Sequence, residues 1–443
     1  MRIQLSDHFT YGKLIRFTLP SIAMMIFTSI YGVVDGFFVS NYVGGTPFAA
    51  LNLIMPFIMV MSAIGFMFGS GGSALVAFTL GTGDKKKASE IFSLIIYLLI
   101  GIGLVLSILG FILARPVALM LGATETMVDY CVTYARVCAL GLVPFMLQNS
   151  FQSFTVVAEK PRFGLYVTIA AGVTNMFFDW LFMGVLGMGI GSAAAASVMG
   201  MYVGGGLPFI YFLKKNSSLL RLTRPSKDYS AIGKAAVNGS SEFMTNISVS
   251  VVNMLYNFQL MKFAGEHGVS AYGIIMYTNF IFLGVFFGYA IGVSPIIGYH
   301  YGTGEKKELK NVFSKSLKLI SAAAVIMVIV AELLSRPLAM IFASYDKELL
   351  AITTHAIQIY SISFLLMGFN IFGSALFTAL NDGLVSAIIS FFRTLLFQIA
   401  SVLILPMIFG LDGIWFSIIC AELLALVVTG YCVLKFRKKY GYV

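Results

Sequence analysis

The apolar residues of this chain arrive in long runs, and that grouping limits the fold more than any single motif. The runs reach roughly twenty residues or more, the length a helix needs to cross a bilayer core of about 30 Å. Hydrophobic residues make up 59% of the 443 positions and charged residues only 11%. A soluble domain carries about a quarter charged residues. A soluble globular enzyme, a disordered chain and a disulfide scaffold are therefore excluded. No alternating pattern of a membrane barrel is visible, and backbone polar groups in lipid must be satisfied internally, so the runs are helices. Twelve spans are expected, at 14–39, 47–79, 90–113, 127–156, 162–184, 190–213, 231–262, 269–300, 312–334, 350–378, 384–409 and 413–434. The fold class is an all-α membrane protein. The first run is too long for the core of a secretory signal and lacks a cleavage site. The four cysteines, Cys131, Cys138, Cys420 and Cys432, lie in apolar runs without a close pair, so neither a metal site nor a disulfide framework is expected.

Basic residues orient the chain. Arg2, Lys13 and Arg16 precede or open the first span, and Lys85–Lys87 follow the second. Lys160 and Arg162, the connector with Lys214, Lys215, Arg221, Arg224 and Lys227, the run Lys306–Lys318 and the tail Lys435–Lys439 fall on the same side. Only Arg115, Lys262, Arg336 and Lys347 fall on the other. The bias puts both termini in the cytoplasm, and it fits an even number of spans. It also accounts for the net charge of +10 without nucleic acid, for which no motif is present.

The chain repeats itself at a shift of 221 positions. Gly81-Thr82-Gly83-Asp84-Lys85-Lys86 returns as Gly302-Thr303-Gly304-Glu305-Lys306-Lys307. The same shift maps Phe92-Ser93 onto Phe313-Ser314, Arg115-Pro116 onto Arg336-Pro337, and Phe151 onto Phe372. Each repeat holds six spans, and six crossings return the chain to its starting side. Two parallel six-helix lobes related by a pseudo-twofold axis along the membrane normal are expected, which is the architecture of transporters that rock around a central site. The boundaries are residues 1–213 for the first lobe, 214–230 for a cytoplasmic connector and 231–443 for the second lobe.

Few acidic residues lie inside the spans, and a carboxylate there is a functional candidate because it is expensive to bury. Asp35 sits just over one turn from the far end of the first span, and Asp179 sits at the same depth in the fifth. Asn175 is one turn deeper on the same face as Asp179, and Ser197 of the sixth span reaches a similar layer. Two like charges in a low dielectric favour a shared proton. The same oxygens suit Na⁺, which takes hard ligands. A satisfied polar patch between helices is the structural alternative. At the repeat shift Asp35 becomes Tyr256, Asn175 becomes Leu396 and Asp179 becomes Ala400, so only the first lobe carries the cluster. Pro20 permits a kink in the first span. Glu242, near the midplane of the seventh, either meets a cationic substrate or pairs with a base such as Arg393. Glu422 and His300 are weaker candidates. The 23 Met and 40 Phe suit packing, lipid contact and an adaptable apolar cavity. Gly69-Ser70-Gly71-Gly72-Ser73 suits close helix packing and lacks the Lys of a phosphate loop. No Ser-His-Asp set or zinc motif stands out, so an enzyme is not expected.

The layout resembles the MATE family, the multidrug and toxic compound extrusion transporters. The resemblance rests on Pro20 with Asp35, on Asn175-x-x-x-Asp179, on Gly191 to Ser197, and on Gly298-Tyr299-His300-Tyr301-Gly302. That last stretch is similar to the Gly-Tyr-Asn-Tyr-Gly pattern of the bacterial MepA-like branch, with His300 in place of the Asn. The resemblance covers essentially the whole chain. It implies an antiporter of the cytoplasmic membrane that exports amphipathic, cationic organic compounds in exchange for H⁺ or Na⁺. It implies Asp35, Asn175 and Asp179 as the cation-coupling site and as the Na⁺ ligands if Na⁺ is used, with Ser197 keeping the coupling-site hydroxyl where relatives often carry Thr. No other cofactor is expected, and the monomer is the expected working unit. A lipid-linked saccharide flippase of the same superfamily is the alternative, disfavoured because Arg136 and Arg393 are the only bases away from the span ends.

Overall fold

In the computed structural model the chain is described over residues 3–344 and 346–443, and these are helical without any strand. Arg2, one of the bases used for orientation, lies outside the described residues. The first half holds α1 (Tyr11–Phe38, running on through Val39–Val43), α2 (Gly45–Gly81) and α3 (Lys85–Met120). It continues with α4 (Glu125–Leu140 plus Leu142–Val157), α5 (Pro161–Asp179, running on through Trp180–Val185) and α6 (Ile190–Leu213). The stretch Ser230–Thr303 is broken at Gly265, whose φ is 59° and ψ −147°, and so provides α7 (230–264) and α8 (266–303). Then come α9 (Lys306–Ala343), α10 (Lys347–Ser361 plus Phe364–Ala379), α11 (Gly383–Phe409) and α12 (Leu411–Tyr440). The chain thus makes twelve spans among the described residues.

The helices overrun the apolar stretches that announce them. The 36 residues of α3 make a rod of about 54 Å, well beyond a hydrocarbon core of about 30 Å. Arg115-Pro116 and Arg336-Pro337 therefore sit inside α3 and α9 rather than in loops. Side-chain caps mark several starts. Thr10 accepts from the Lys13 N–H, and Asp84 from that of Lys87. The repeated Gly-Thr-Gly motif has one backbone reason in both copies: Gly83 (φ 90°) and Gly304 (φ 76°) take left-handed conformations open to glycine at little cost.

The 221-residue repeat is visible in space. Two spans are bent, α4 by 60° after Leu140 and α10 by 50° after Ser361, and the shift carries Gly141 onto Ile362 within the second bend. The halves meet through small residues, which let backbones approach. A Cβ added to Gly71 would lie 2.4 Å from the Gly239 nitrogen, and one added to Gly292 would lie 2.9 Å from the Thr18 Cα. The shift converts the first contact into the second. Gly81 and Gly302 are each other's counterparts and also touch: a Cβ on Gly81 would lie 2.9 Å from the Gly302 Cα. A contact that is its own image lies on the pseudo-twofold axis. It joins the halves at the face where the chain begins.

Apolar packing follows the same division. One buried cluster draws on α7–α12 together with Leu5, Phe9, Leu14, Phe17 and Val156. Two others draw on α2–α6, with Leu220, Leu222, Ala231 and Ala235 added. The connector is docked on the first half, since the Thr223 N–H donates to Ser93 Oγ at 2.8 Å and the Ser226 N–H to the Glu90 carbonyl at 3.0 Å.

The segment ahead of α1 forms a strap that the sequence reading does not foresee. Leu5 and Phe9 are fully buried. The Leu5 N–H donates to Glu159 Oε1 at 2.8 Å, at the end of α4. The Phe9 N–H donates to Glu308 Oε1 at 2.8 Å, at the start of α9. The Phe9 carbonyl accepts from Asn311 Nδ2 (3.0 Å) and Lys315 Nζ (2.7 Å). The strap therefore fastens one half to the other across the axis.

Candidate functional site

Three helices of the first half converge on one layer. Asp35 comes from α1, Asn175 and Asp179 from one face of α5, and Ser197 from α6. Asp35 lies within hydrogen-bonding reach of Asp179, Asn175 and Ser197. Asn175 Nδ2 donates to Ser197 Oγ at 3.4 Å. Asp179 and Asn175 are buried, whereas Asp35 and Ser197 are partly exposed. Gly200, one turn beyond Ser197, lets α6 approach α5: a Cβ there would lie 2.9 Å from the Ala171 carbonyl oxygen and 3.1 Å from the Asn175 Cβ.

The chemistry of the layer is set by what it lacks. Asp35 Oδ1, both Asp179 oxygens and Asn175 Oδ1 are buried without a hydrogen-bond donor. Two carboxylates that touch are both acceptors. Their contact becomes a hydrogen bond only with a proton between them, or becomes favourable with a cation among them. No Lys, Arg or His is among the neighbours of Asp35. The oxygens of Asp35, Asp179, Asn175 and Ser197 also form a hard-ligand set. No group of three or more His, Cys, Asp or Glu suited to a metal exists among the described residues, so a bound ion would depend on the neutral oxygens. Tyr31 and Tyr134 line the same layer, close enough to feel the Asp35 charge. The sequence reading passes over both, because a tyrosine within an apolar run gives no signal of what it faces.

Pro20 lies on α1 just over four turns before Asp35, and α1 passes through it as one helix. His300 is buried at the end of α8, its Nδ1 3.3 Å from Glu305 Oε2, with neither ring nitrogen in a hydrogen bond.

The second half treats its charges differently. Tyr256, at the position of Asp35, donates to Gln398 Oε1 at 3.2 Å and stacks on Tyr272. Arg393 Nε donates to both Glu422 oxygens, at 2.9 and 3.1 Å. Asn370 Nδ2 donates to Glu422 Oε2 at 2.7 Å, and Asn370 Oδ1 accepts from Thr429. The base that α7 Glu242 might have used is thus committed to Glu422. Glu242 is half-buried and near enough to Arg393 to be attracted by it.

Comparison with known proteins agrees with the repeat. A family model described as MatE matches twice, at residues 20–181 and 243–404. The multidrug export protein MepA of Staphylococcus haemolyticus (strain JCSC1435) is 22% identical over 441 residues, covering 97% of this chain and 94% of the relative. A crystal structure of MATE in complex with MaL6 superposes with a TM-score of 0.91 at 21% identity, covering 97% of this chain and 98% of the other. An outward-facing multidrug resistance MATE family transporter of the MOP superfamily gives 0.88 at 21% identity, with the same coverage. At such identity these two structures bear on the fold alone.

Proposed function

The chain belongs to the MatE family, a family of membrane transporters rather than enzymes, and from that premise we propose that it is a cation-coupled multidrug antiporter. The coupling ion is H⁺ or Na⁺, taken up at Asp35, Asn175, Asp179 and Ser197. The substrate is an amphipathic organic cation held between two lobes, 1–213 and 231–443, with 214–230 as connector. Both termini are cytoplasmic, as the distribution of bases supports. The monomer is the working unit.

One observation carries this reading. Three of the four oxygens of two adjacent carboxylates, Asp35 Oδ1 and both of Asp179, are buried without a donor in one half of a pseudo-symmetric molecule, and the other half has Tyr256 hydrogen-bonded in the matching place. A need of the fold alone would apply to both halves. An empty pair is costly in a low dielectric, and a proton or Na⁺ relieves it. Loading and unloading therefore changes which arrangement of α1 is stable, with Pro20 as the point that yields. Coupling is that difference in stability. The halves touch at Gly81 and Gly302 on the N-terminal face, which supports a state closed to the cytoplasm. Rocking about the axis would open that face to substrate. Glu242 carries a charge that Arg393 does not fully neutralise, and it contributes to binding the cation substrate.

The test is efflux of a cationic dye from proteoliposomes under a pH gradient and, separately, under a Na⁺ gradient. One gradient should drive efflux in the natural protein, and neither should do so in Asp35→Asn or Asp179→Asn. Gradient-driven efflux at the natural rate in both variants would refute the assignment.

A further inference from the structure

A stripe of polar residues runs down α4 and just past its end at helical spacing: Gln148, Gln152, Thr155 and Glu159. Intervals of four and three residues put Gln148, Gln152 and Thr155 on one face, and Glu159 follows in the turn just past the helix end, with φ 55°. Gln148 and Gln152 are 5% and 6% exposed, and each has its Oε1 buried without a partner. Ser21 of α1 is 1% exposed with its Oγ likewise unpartnered. The large majority of buried side-chain polar atoms in proteins are paired by protein or by ordered water, so these three, which join Asn149 Nδ2, Ser150 Oγ and the oxygens of the carboxylate layer as orphans of the first lobe, need an explanation.

The surroundings supply one. A cavity of about 10 Å³ lies inside the first half, lined by Met24, Gln148, Gln152, Thr155 and Thr168 among others. That is room for about one water and is far below the roughly 300–1,000 Å³ of a drug-sized pocket. Glycines keep it open on two sides. A Cβ on Gly204 would lie 2.7 Å from Gln148 Oε1, and one on Gly164 would lie 2.5 Å from Thr155 Oγ1.

The cavity has two ends. At the upper end Tyr31 adjoins both Gln148 and Asp35, which joins it to the carboxylate layer. At the lower end the stripe reaches Glu159, where α4 stops at the N-terminal face and the strap is fastened. From Gln148 to Val157, the last helical residue, the helix rises about 14 Å, nearly half the hydrocarbon thickness of about 30 Å.

We propose that the coupling cation leaves the Asp35–Asp179 layer for the cytoplasm through a hydrated seam inside the first half, along the Gln148–Gln152–Thr155 face of α4 and past Glu159, and not through the cavity between the halves. This rests on reading Asp35 and Asp179 as the coupling site. For H⁺, the proton passes from the carboxylate pair to water in the seam and on to bulk water, leaving the carboxylates charged. For Na⁺, the amide and hydroxyl oxygens replace water ligands along the way. Substrate and cation then never compete for one exit.

Gln148→Leu combined with Gln152→Leu removes the polar stripe and keeps near-native volume. Gradient-driven dye efflux should fall by at least about tenfold, because a cation crossing an apolar stretch loses hydrogen-bonding partners worth more than that factor. Dye-for-dye exchange, which needs no net cation movement, should stay within about twofold of the natural rate, a factor worth well under 1 kcal/mol, and it reports on folding. Labelling of Asp35 and Asp179 by a carbodiimide, read by mass spectrometry, should keep its natural dependence on pH or Na⁺. Undiminished efflux in this variant, with efflux lost in Asp35→Asn, would leave the coupling site standing and overturn the seam. Undiminished efflux in both would overturn the two together. Should the double variant not fold, Thr155→Cys in protein lacking its four natural cysteines gives an independent answer. A small cationic thiol reagent applied from the cytoplasmic face should modify it in actively transporting vesicles with saturating dye between the halves. No modification there would overturn the seam.

Discussion

The two halves share a chain path, bends and contacts, and differ in how they treat buried charge. In the second half every strong acceptor around Glu422 meets a donor: Arg393 Nε, Asn370 Nδ2 and, through Asn370, Thr429. In the first half Asp35 and Asp179 face each other with no donor between them. A fixed base makes a charge permanent and structural. Its absence leaves a place for a mobile cation. Under the proposed coupling, the contrast would let one half of a symmetric scaffold respond to an ion gradient while the other keeps its shape, since only a half that exchanges its counter-charge has two states to choose between.

The largest effect expected from this contrast is loss of coupling. Asp35→Asn or Asp179→Asn should abolish gradient-driven efflux, while Tyr256→Phe, at the matching position, should leave it within a few-fold; the lost Tyr256–Gln398 hydrogen bond is worth about 0.5–1.5 kcal/mol. Dye efflux from proteoliposomes measures all three. Equal loss in Tyr256→Phe would break the distinction between the halves.

Next comes stability. Arg393→Met leaves Glu422 buried with its cationic partner gone, which costs about 3–5 kcal/mol, whereas replacing both partners by apolar residues is often neutral or stabilising. Thermal unfolding in detergent should therefore fall sharply for Arg393→Met and recover in Arg393→Met with Glu422→Met. The double variant should still couple, because its ion pair is part of the scaffold. A double variant that folds as the natural protein does but has lost coupling would show that the second half also handles the ion.

Substrate affinity follows. Among the described residues the Glu242 carboxylate forms no ion pair and is only attracted by Arg393, so Glu242→Gln should weaken a cationic dye by about 1–3 kcal/mol, roughly ten- to a hundredfold. A neutral analogue of the same size should bind almost unchanged. Dissociation constants for the pair decide it, and equal losses would assign Glu242 to packing.

The sequence makes the scaffold and the carboxylate layer legible for the same reason: apolar runs of membrane length isolate the rare polar residue. Asp35, Asn175 and Asp179 stand out in such runs, and their depth follows from counting along helices of known direction. Partner choice is harder to read. Arg393, Glu422 and Glu242 lie on three helices, α11, α12 and α7, and only their relative rotation decides that Arg393 goes to Glu422. The bends at Gly141 and near Ile362 are local conformations inside continuous apolar stretches, which hydropathy cannot register, whereas the break at Gly265 falls between the expected spans 231–262 and 269–300. The α4 stripe was readable as four polar residues at helical spacing, but only the structure reveals that it faces a cavity. The strap was hidden because Leu5 and Phe9 are two apolar residues in a short polar segment, too few to signal burial.

That strap offers the smallest and most discriminating perturbation, because it draws on both halves at once. Glu159 holds its first part and Glu308 with Asn311 its second. A tie across the axis stabilises the closed N-terminal face only while both ends hold. Asn311→Ala removes its 3.0 Å bond to the Phe9 carbonyl and its 2.7 Å bond to Glu308 Oε1. Loss of one such bond is worth about 0.5–1.5 kcal/mol, enough to shift a closed-to-open ratio by roughly two- to tenfold. Thr82 and Thr303 report that ratio, since each follows a glycine of the contact on the axis and the two are counterparts in the repeat. Spin labels at these positions, in protein lacking its four natural cysteines, should show one short distance for the closed face and a longer one that gains population in Asn311→Ala. Adding substrate or the coupling cation should move the same two populations without creating a third, as rigid-body rocking requires. A distribution unchanged by the substitution would mean that the strap rides on one half only. A distribution also indifferent to substrate, pH and Na⁺, in protein shown to transport, would mean that the halves do not rock at this face.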